Sequence, residues 1–385
     1  MFYGLFAVFG AVLAVIPQQV YQPVVCIGFC HQSHHMFLNT SKALMAVACT
    51  VVGLVAGRYA GREPVKPRVS EQAEVAVRPV SPAAGGPHHC DALEKFPLLA
   101  APEGCRGLRL KNKAPLTELE AALSRQLDAA RADGTVGRAA FYIRDLEDGP
   151  VASLLQDEAF APASLLKLPV AMAVFDFASE QAAVLDQQVR YSRAGVTHFS
   201  VPKQNFAFVS DLKPEAVVPF RDLLRSSLTY SDNLAFFLVL EQMNFVIPDG
   251  QRALRRSAQE LGIIDPPAEA EDVLTVHNYA ALFRSLYRSS YLGPTDSNEI
   301  LTWMSVSPFD VGLAAGLPKQ VKIAHKFGER GGEGNAKQLH DCGIVYLPGN
   351  PYQICVMSEG PAWAPLERFI ATASSTTYQA FSARR

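Results

Sequence analysis

From about residue 95 onward the chain alternates between two hydrophobic periods. In "LTELEAALSRQLDAARADG", Leu116, Leu119, Leu123, Leu127 and Ala130 recur three and four positions apart, which lines one face of a helix. Thr117 and Glu120 have the spacing of a capping box at its start, and Gly134 closes it. "RAAFYIRDLEDG" changes to strand-like alternation and a turn, and "VASLL" returns as its partner. Residues 160–304 read mostly as helix, through "FRDLLRSSL", "NLAFFLVLEQM", "QRALRRSAQELG" and "VHNYAALFRSLYRSS". The end reverts to strands in "VKIAHKF", "CGIVYLP" and "YQICVMSEG", and a last helix sets Leu366, Phe369, Ile370 and Ala373 on one face. This order predicts an α/β chain of the α+β kind. Five strands form an antiparallel sheet flanked by the terminal helices, an all-helical lobe stands beside it, and a cleft lies between them.

The first part of the chain follows a different pattern. Residues 1–16 and 43–57 are apolar runs, each shorter than the roughly 20 residues of a spanning helix. Lys42 precedes the second run and Arg58 and Arg62 follow it, the layout of a signal sequence or a short membrane anchor. A translation start at Met36 would remove residues 1–35 altogether. Residues 58–90 carry five prolines and scattered charges without an apolar period, which describes an extended tether. The expected division is therefore 1–57 as signal or anchor, 58–95 as linker and 96–385 as the globular domain. Such a protein is exported, either held on the outer side of the membrane or released, and is expected to act as a monomer.

Composition narrows the chemistry. Among 385 residues, 49% are hydrophobic and the formal charge is −2, so a large core is available and no basic field invites nucleic acid. "CIGFCHQSHH" gathers Cys26, Cys30, His31, His34 and His35, but not at the spacing of a closed zinc site, and neither metal nor cofactor is expected. A Cys90–Cys105 bridge would require an oxidising location. Cys342 and Cys355 fall on neighbouring strand segments, where they make either a disulfide or an ordinary apolar pair.

Three short motifs carry candidate chemistry. In "FAPASLLKLPV", Lys167 follows Ser164 by three positions at the mouth of an apolar helix, so both share a helical face. Serine needs a neighbouring base, and a lysine in apolar, cationic surroundings loses its proton readily enough to act as one. Alone the string recurs by chance, and a capping serine with an exposed lysine would give it too. The second motif, "TYSDNLAFF", holds Ser231, able to relay a proton to a leaving nitrogen, and Asn233, able to bind a substrate amide or orient Lys167. It also suits a helix N-cap. In the third, "AHKFGERG", Lys326 offers a positive charge to a substrate carboxylate, and Gly328 lets substrate backbone approach the strand. The N–H of Glu329, with that of Ser164, suits an oxyanion hole.

S-x-x-K, S-D-N and K-x-G in this order resemble the class A β-lactamases and related penicillin-binding proteins, over about residues 115–381. The resemblance implies a serine hydrolase that opens β-lactams or similar cyclic amides through an acyl-enzyme on Ser164. The alternative is a D,D-peptidase acting on cell-wall peptides, and a third reading, a non-catalytic binder of such peptides, is opposed by the presence of all the motif serines and lysines. Two departures stand out. The family's third motif has a hydroxyl residue between lysine and glycine, and this chain has Phe327. The family's water-activating glutamate lies in an Ω-shaped loop, and "LGIIDPPAEAEDVLTVHNYA" lacks its pattern. Glu269 and Glu271 are the candidates there, with solvated loop charges as the alternative reading.

Overall fold

The apolar stripe at the start of the domain forms helix α1 (Thr117–Ala132), which buries Leu119, Leu123 and Leu127. The expected capping box does not form. Leu116 occupies the cap without a side-chain bond, and Glu120 instead accepts the Ser153 N–H at 3.0 Å, satisfying a neighbouring strand rather than its own helix. Gly134 takes φ +73°, the left-handed exit that glycine permits. The structure is a computed structural model and describes residues 95–101, 115–147, 149–191, 213, 215–247, 250–261, 274–331 and 336–384.

Strands β1 (Arg138–Asp145) and β2 (Val151–Leu154) make the expected hairpin. A 3-10 turn (Ala163–Leu166) then leads into helix α2 (Lys167–Glu180). Strands β3 (Gln188–Arg190) and β4 (Val217–Pro219) form a small separate sheet. At three residues each they are too short to show a period in the sequence. Helices α3 (Phe220–Thr229), α4 (Asn233–Val246), α5 (Gly250–Glu260), α6 (Val276–Arg288) and α7 (Pro294–Ser305) complete the helical lobe. The meander β5 (Ile323–Gly331), β6 (Lys337–Val345) and β7 (Tyr352–Gly360) precedes helix α8 (Trp363–Ala383).

The main sheet has five antiparallel strands, as the sequence pattern implied, and their order is β2-β1-β7-β6-β5. β1 enters beside β7, its last strand in sequence, and β5 is left at the open edge. Strand alternation divides the apolar side chains between two cores. Phe141, Ile143, Phe327, Ile354 and Val356 pack with Leu123 of α1 and Leu366 and Ile370 of α8. Ala140, Cys342, Cys355 and Met357 face the helical lobe and pack with Leu165, Leu168 and Phe283.

Cys342 and Cys355 are directly paired in the β6–β7 register and joined by a disulfide, with Cα atoms 3.9 Å apart. Of the two readings the sequence allowed, the bridge is the one found. No helix among the described residues is long and apolar enough to cross a membrane. The two N-terminal apolar runs, Cys90, Cys105, Glu269 and Glu271 lie outside the described residues.

Candidate active site

The turn that carries Ser164 is held in place from several directions. Phe160 and Leu274 exchange N–H···O=C bonds of 2.9 and 2.8 Å. The Ala161 N–H donates to Gln338 Oε1 on β6, and its carbonyl accepts from His340 Nε2 at 3.0 Å. Burial pushes His340 down to about 4, so the ring stays neutral and serves as a structural donor. Tyr279 on α6, fully buried, donates its hydroxyl to the Leu165 carbonyl. Ala163, just before the serine, has φ +49°. A non-glycine residue holds that conformation only where its surroundings impose it.

Lys167 begins α2 and is 2% exposed. Its Nζ lies 2.7 Å from Ser164 Oγ, 2.7 Å from Asn233 Oδ1 and 3.0 Å from the Ser231 carbonyl. A neutral amine has two N–H groups and one lone pair. The Ser231 carbonyl and the Asn233 amide oxygen accept both N–H groups, so the lone pair is left for the Ser164 hydroxyl proton. Burial pushes this lysine from its ordinary 10.5 down to about 7, against the opposing charges of Asp232 and Glu329. Lys167 is thereby suited to remove a proton at neutral pH.

The S-D-N segment works on two levels. Asp232 caps α4, its Oδ1 accepting the Leu234 and Ala235 N–H groups at 2.8 and 3.1 Å. That is the N-cap role the sequence allowed, and it frees the flanking residues for the cleft. Ser231, at φ +55°, presents its carbonyl to Lys167 and its hydroxyl to Lys326 at 2.8 Å. Lys326 also donates to the Phe327 carbonyl at 2.7 Å. Burial, and then the positive charge of Lys167, push Lys326 well below the ordinary lysine range.

On β5 the direction of each backbone group follows from the ladder. The Tyr346 N–H donates to the Lys322 carbonyl. Antiparallel bonds recur at every second residue, so Lys326 and Gly328 bond to β6 while Phe327 and Glu329 turn their N–H and C=O groups to the open edge. The bond from Lys326 Nζ to the Phe327 carbonyl agrees with this phase. Gly328 itself faces the turn that bears Ser164. A Cβ there would lie 3.0 Å from Leu165 Cγ, 3.2 Å from the Pro162 carbonyl oxygen and 3.3 Å from the Leu165 nitrogen. Its bareness thus serves the packing of β5 against the turn that bears Ser164.

Residues 121–381 match the sequence model of the β-lactamase enzyme family. The chain belongs to that family. It is 28% identical over 263 residues to the extended-spectrum β-lactamase PER-1 of Pseudomonas aeruginosa, covering 64% of this chain and 82% of that protein. With β-lactamase FAR-1 of Nocardia farcinica it shares 26% over 233 residues, 57% of this chain and 70% of the other. Among solved structures, PBP-A superposes with a TM-score of 0.58 at 24% identity, over 71% of this chain and all of PBP-A. A class A β-lactamase from Mycobacterium abscessus gives 0.57 at 21% identity, over 69% of this chain and 99% of that one. These superpositions show the fold, and the family identifies the chain as a serine hydrolase.

Within this β-lactamase-family fold, Ser164, Lys167, Ser231, Asn233 and Lys326, spread over 162 positions from 164 to 326, meet in one hydrogen-bonded cluster. Phe327 does not join them. Its ring is buried on the opposite sheet face and stacks on Phe309 with centroids 4.0 Å apart. Sequence reasoning missed Tyr279 and His340, which hold the turn that bears Ser164. It also missed a buried pair between β5 and β6, in which His325 Nδ1 lies 2.9 Å from Asp341 Oδ1 and Asp341 Oδ2 accepts the Leu313 N–H. A tyrosine in an amphipathic helix and histidines in strands carry no local signal for such roles.

Proposed function

We propose that the protein is an exported hydrolase that opens β-lactams, or similar cyclic amides, through an acyl-enzyme on Ser164. The observation that carries this reading is the Lys167 amine, 2.7 Å from Ser164 Oγ with both N–H groups already accepted. As the Oγ–C bond forms, the Ser164 proton passes to Lys167 Nζ. The N–H groups of Ser164 and Glu329 receive the developing oxyanion. When the ring C–N bond breaks, Lys167 returns the proton through Ser231 Oγ, 3.4 Å away, to the leaving nitrogen. Lys326 holds the Ser231 hydroxyl in line. Water then cleaves the ester, with Glu269 or Glu271 as the candidate carboxylates to activate it. Export is consistent with the Cys342–Cys355 bridge, since disulfides persist in oxidising compartments. Residues 1–57 would supply the signal or anchor and 58–95 the tether, with a monomeric domain beyond.

The test follows the full chain with a chromogenic β-lactam, by absorbance and by protein mass. The expected result is a colour change with a mass adduct on Ser164, both absent in Ser164→Ala. An adduct that survives in Ser164→Ala removes this serine as nucleophile. Adduct formation without turnover would instead favour a D,D-peptidase, and no adduct at all would favour a binder of cell-wall peptides.

A further inference from the structure

The first turn of α4 brings two different groups to Lys167. Asn233 and Phe236 stand three positions apart, on one face of that helix, and both meet the amine. Asn233 Oδ1 accepts one N–H, and the Phe236 ring lies against Nζ with its centroid 5.4 Å away. Phe236 is buried in the core of the helical lobe, as Lys167 is at its edge, so the contact is shielded from solvent. The acylation chemistry described above uses the asparagine and leaves the ring without a task. An aromatic face carries partial negative charge and attracts a cation within about 6 Å, more strongly where solvent is shut out. It offers a neutral amine no such attraction. Lys167 becomes a cation at one point of the reaction, when the Ser164 O–H bond breaks and the proton joins Nζ.

We infer that Phe236 is a positioning residue for this proton transfer, the face of its ring stabilising the Lys167 ammonium as Ser164 gives up its proton. The inference rests on the acyl-enzyme reading above. The ring works against burial, which alone drives the amine toward its neutral form. The other groups that act on Lys167 are Asp232 at the α4 cap and Lys326 and Glu329 on β5. Tyr279 on α6, held well above the ordinary tyrosine range by burial, stays neutral. A ring that only filled the core would be replaceable by any apolar side chain of its size, with no effect on how the lysine titrates.

Trifluorophenylalanine has nearly the shape of phenylalanine, but its fluorines draw electrons from the ring face and weaken its hold on a cation. It is placed at position 236 of the full chain, and Phe236→Leu is made beside it. Growth of the Ser164 mass adduct with benzylpenicillin is then followed as a function of pH. In the fluorinated protein the inflection should fall by about half a pH unit or more, and the plateau above it by about threefold. Phe236→Leu, apolar but without a ring face, must move both the same way. A misfolded fraction lowers the rate equally at every pH and leaves the inflection in place, so the shift reports the lysine itself. An inflection unchanged in both variants overturns the inference, while the adduct on Ser164 still supports the acyl-enzyme reading. A shift in Phe236→Leu alone also overturns it, because packing rather than the ring face would then be responsible. If the natural protein forms no adduct, the acyl-enzyme reading fails and the inference falls with it.

Discussion

At the residue scale, the site turns on how one lysine is kept neutral. Ser164 and Lys167 were legible in the sequence because a three-residue spacing sets both on one helical face and two further motifs follow in order. Of the acceptors that orient the amine, Asn233 was an expectation of the S-D-N motif, whereas the Ser231 carbonyl, a backbone group brought near by the fold, has no signal in the sequence. Lys167 falls to about 7, so its basic form should disappear below neutrality. Acylation of Ser164 should therefore drop about tenfold per pH unit below 7 and level off above it. Lys167→Ala should slow acylation by about 10³-fold or more and erase that inflection. Adduct rates measured between pH 5 and 9 test this, and an inflection near 7 that persists in Lys167→Ala would assign it to another group. The same shift affects stability. Between about 7 and the unfolded value of 10.5, the unfolded chain binds more protons than the folded one, so this lysine makes stability rise with pH across that window.

At the element scale, helix and strand periods identified the long elements, while the order of strands was beyond them. That β1 sits beside β7 depends on contacts more than two hundred positions apart, such as Phe141 with Val356. The capping box failed for a related reason, since Glu120 found a partner on β2 that outweighed its own helix end. Gly328 is where an element-level requirement can be tested. The sequence suggested that its bareness admits substrate, whereas the structure shows β5 pressed against the Pro162–Leu165 turn at that point. Added bulk must displace either the strand or the turn. Gly328→Val should cost about 1–3 kcal/mol, read as a lower melting temperature. It should also slow acylation, because the turn that moves carries Ser164, the proposed nucleophile. Normal melting and normal adduct formation in this variant would show that the turn and strand are free to separate.

At the scale of the whole molecule, the sheet flanked by terminal helices with a helical lobe beside it was readable in the order of helix and strand periods, whereas the division into two cores and the choice between bridge and apolar pair at Cys342 and Cys355 came only with the structure. Adjacent cysteines on a hairpin look the same whether bridged or reduced until the register is known. Here the register pairs Cys342 with Cys355 on one side and with Lys326 on the other, so the bridge lies directly behind an active-site strand. Its sequence separation of 13 closes a short loop, and in the chain-entropy account such a link removes about 3 kcal/mol of freedom from the unfolded chain. For a domain of this size that corresponds to a melting temperature higher by about 6–12 °C. Both sulfurs are buried, so reductant added to the folded protein should act slowly. Protein refolded in reductant should melt lower by about that amount, yet still acylate at moderate temperature, because β6 remains paired on both sides. Equal melting of the two forms would show that the pair contributes only as apolar packing. The export argument would then lose its structural support, since a bridge that stabilises nothing gives no reason for the chain to fold in an oxidising compartment.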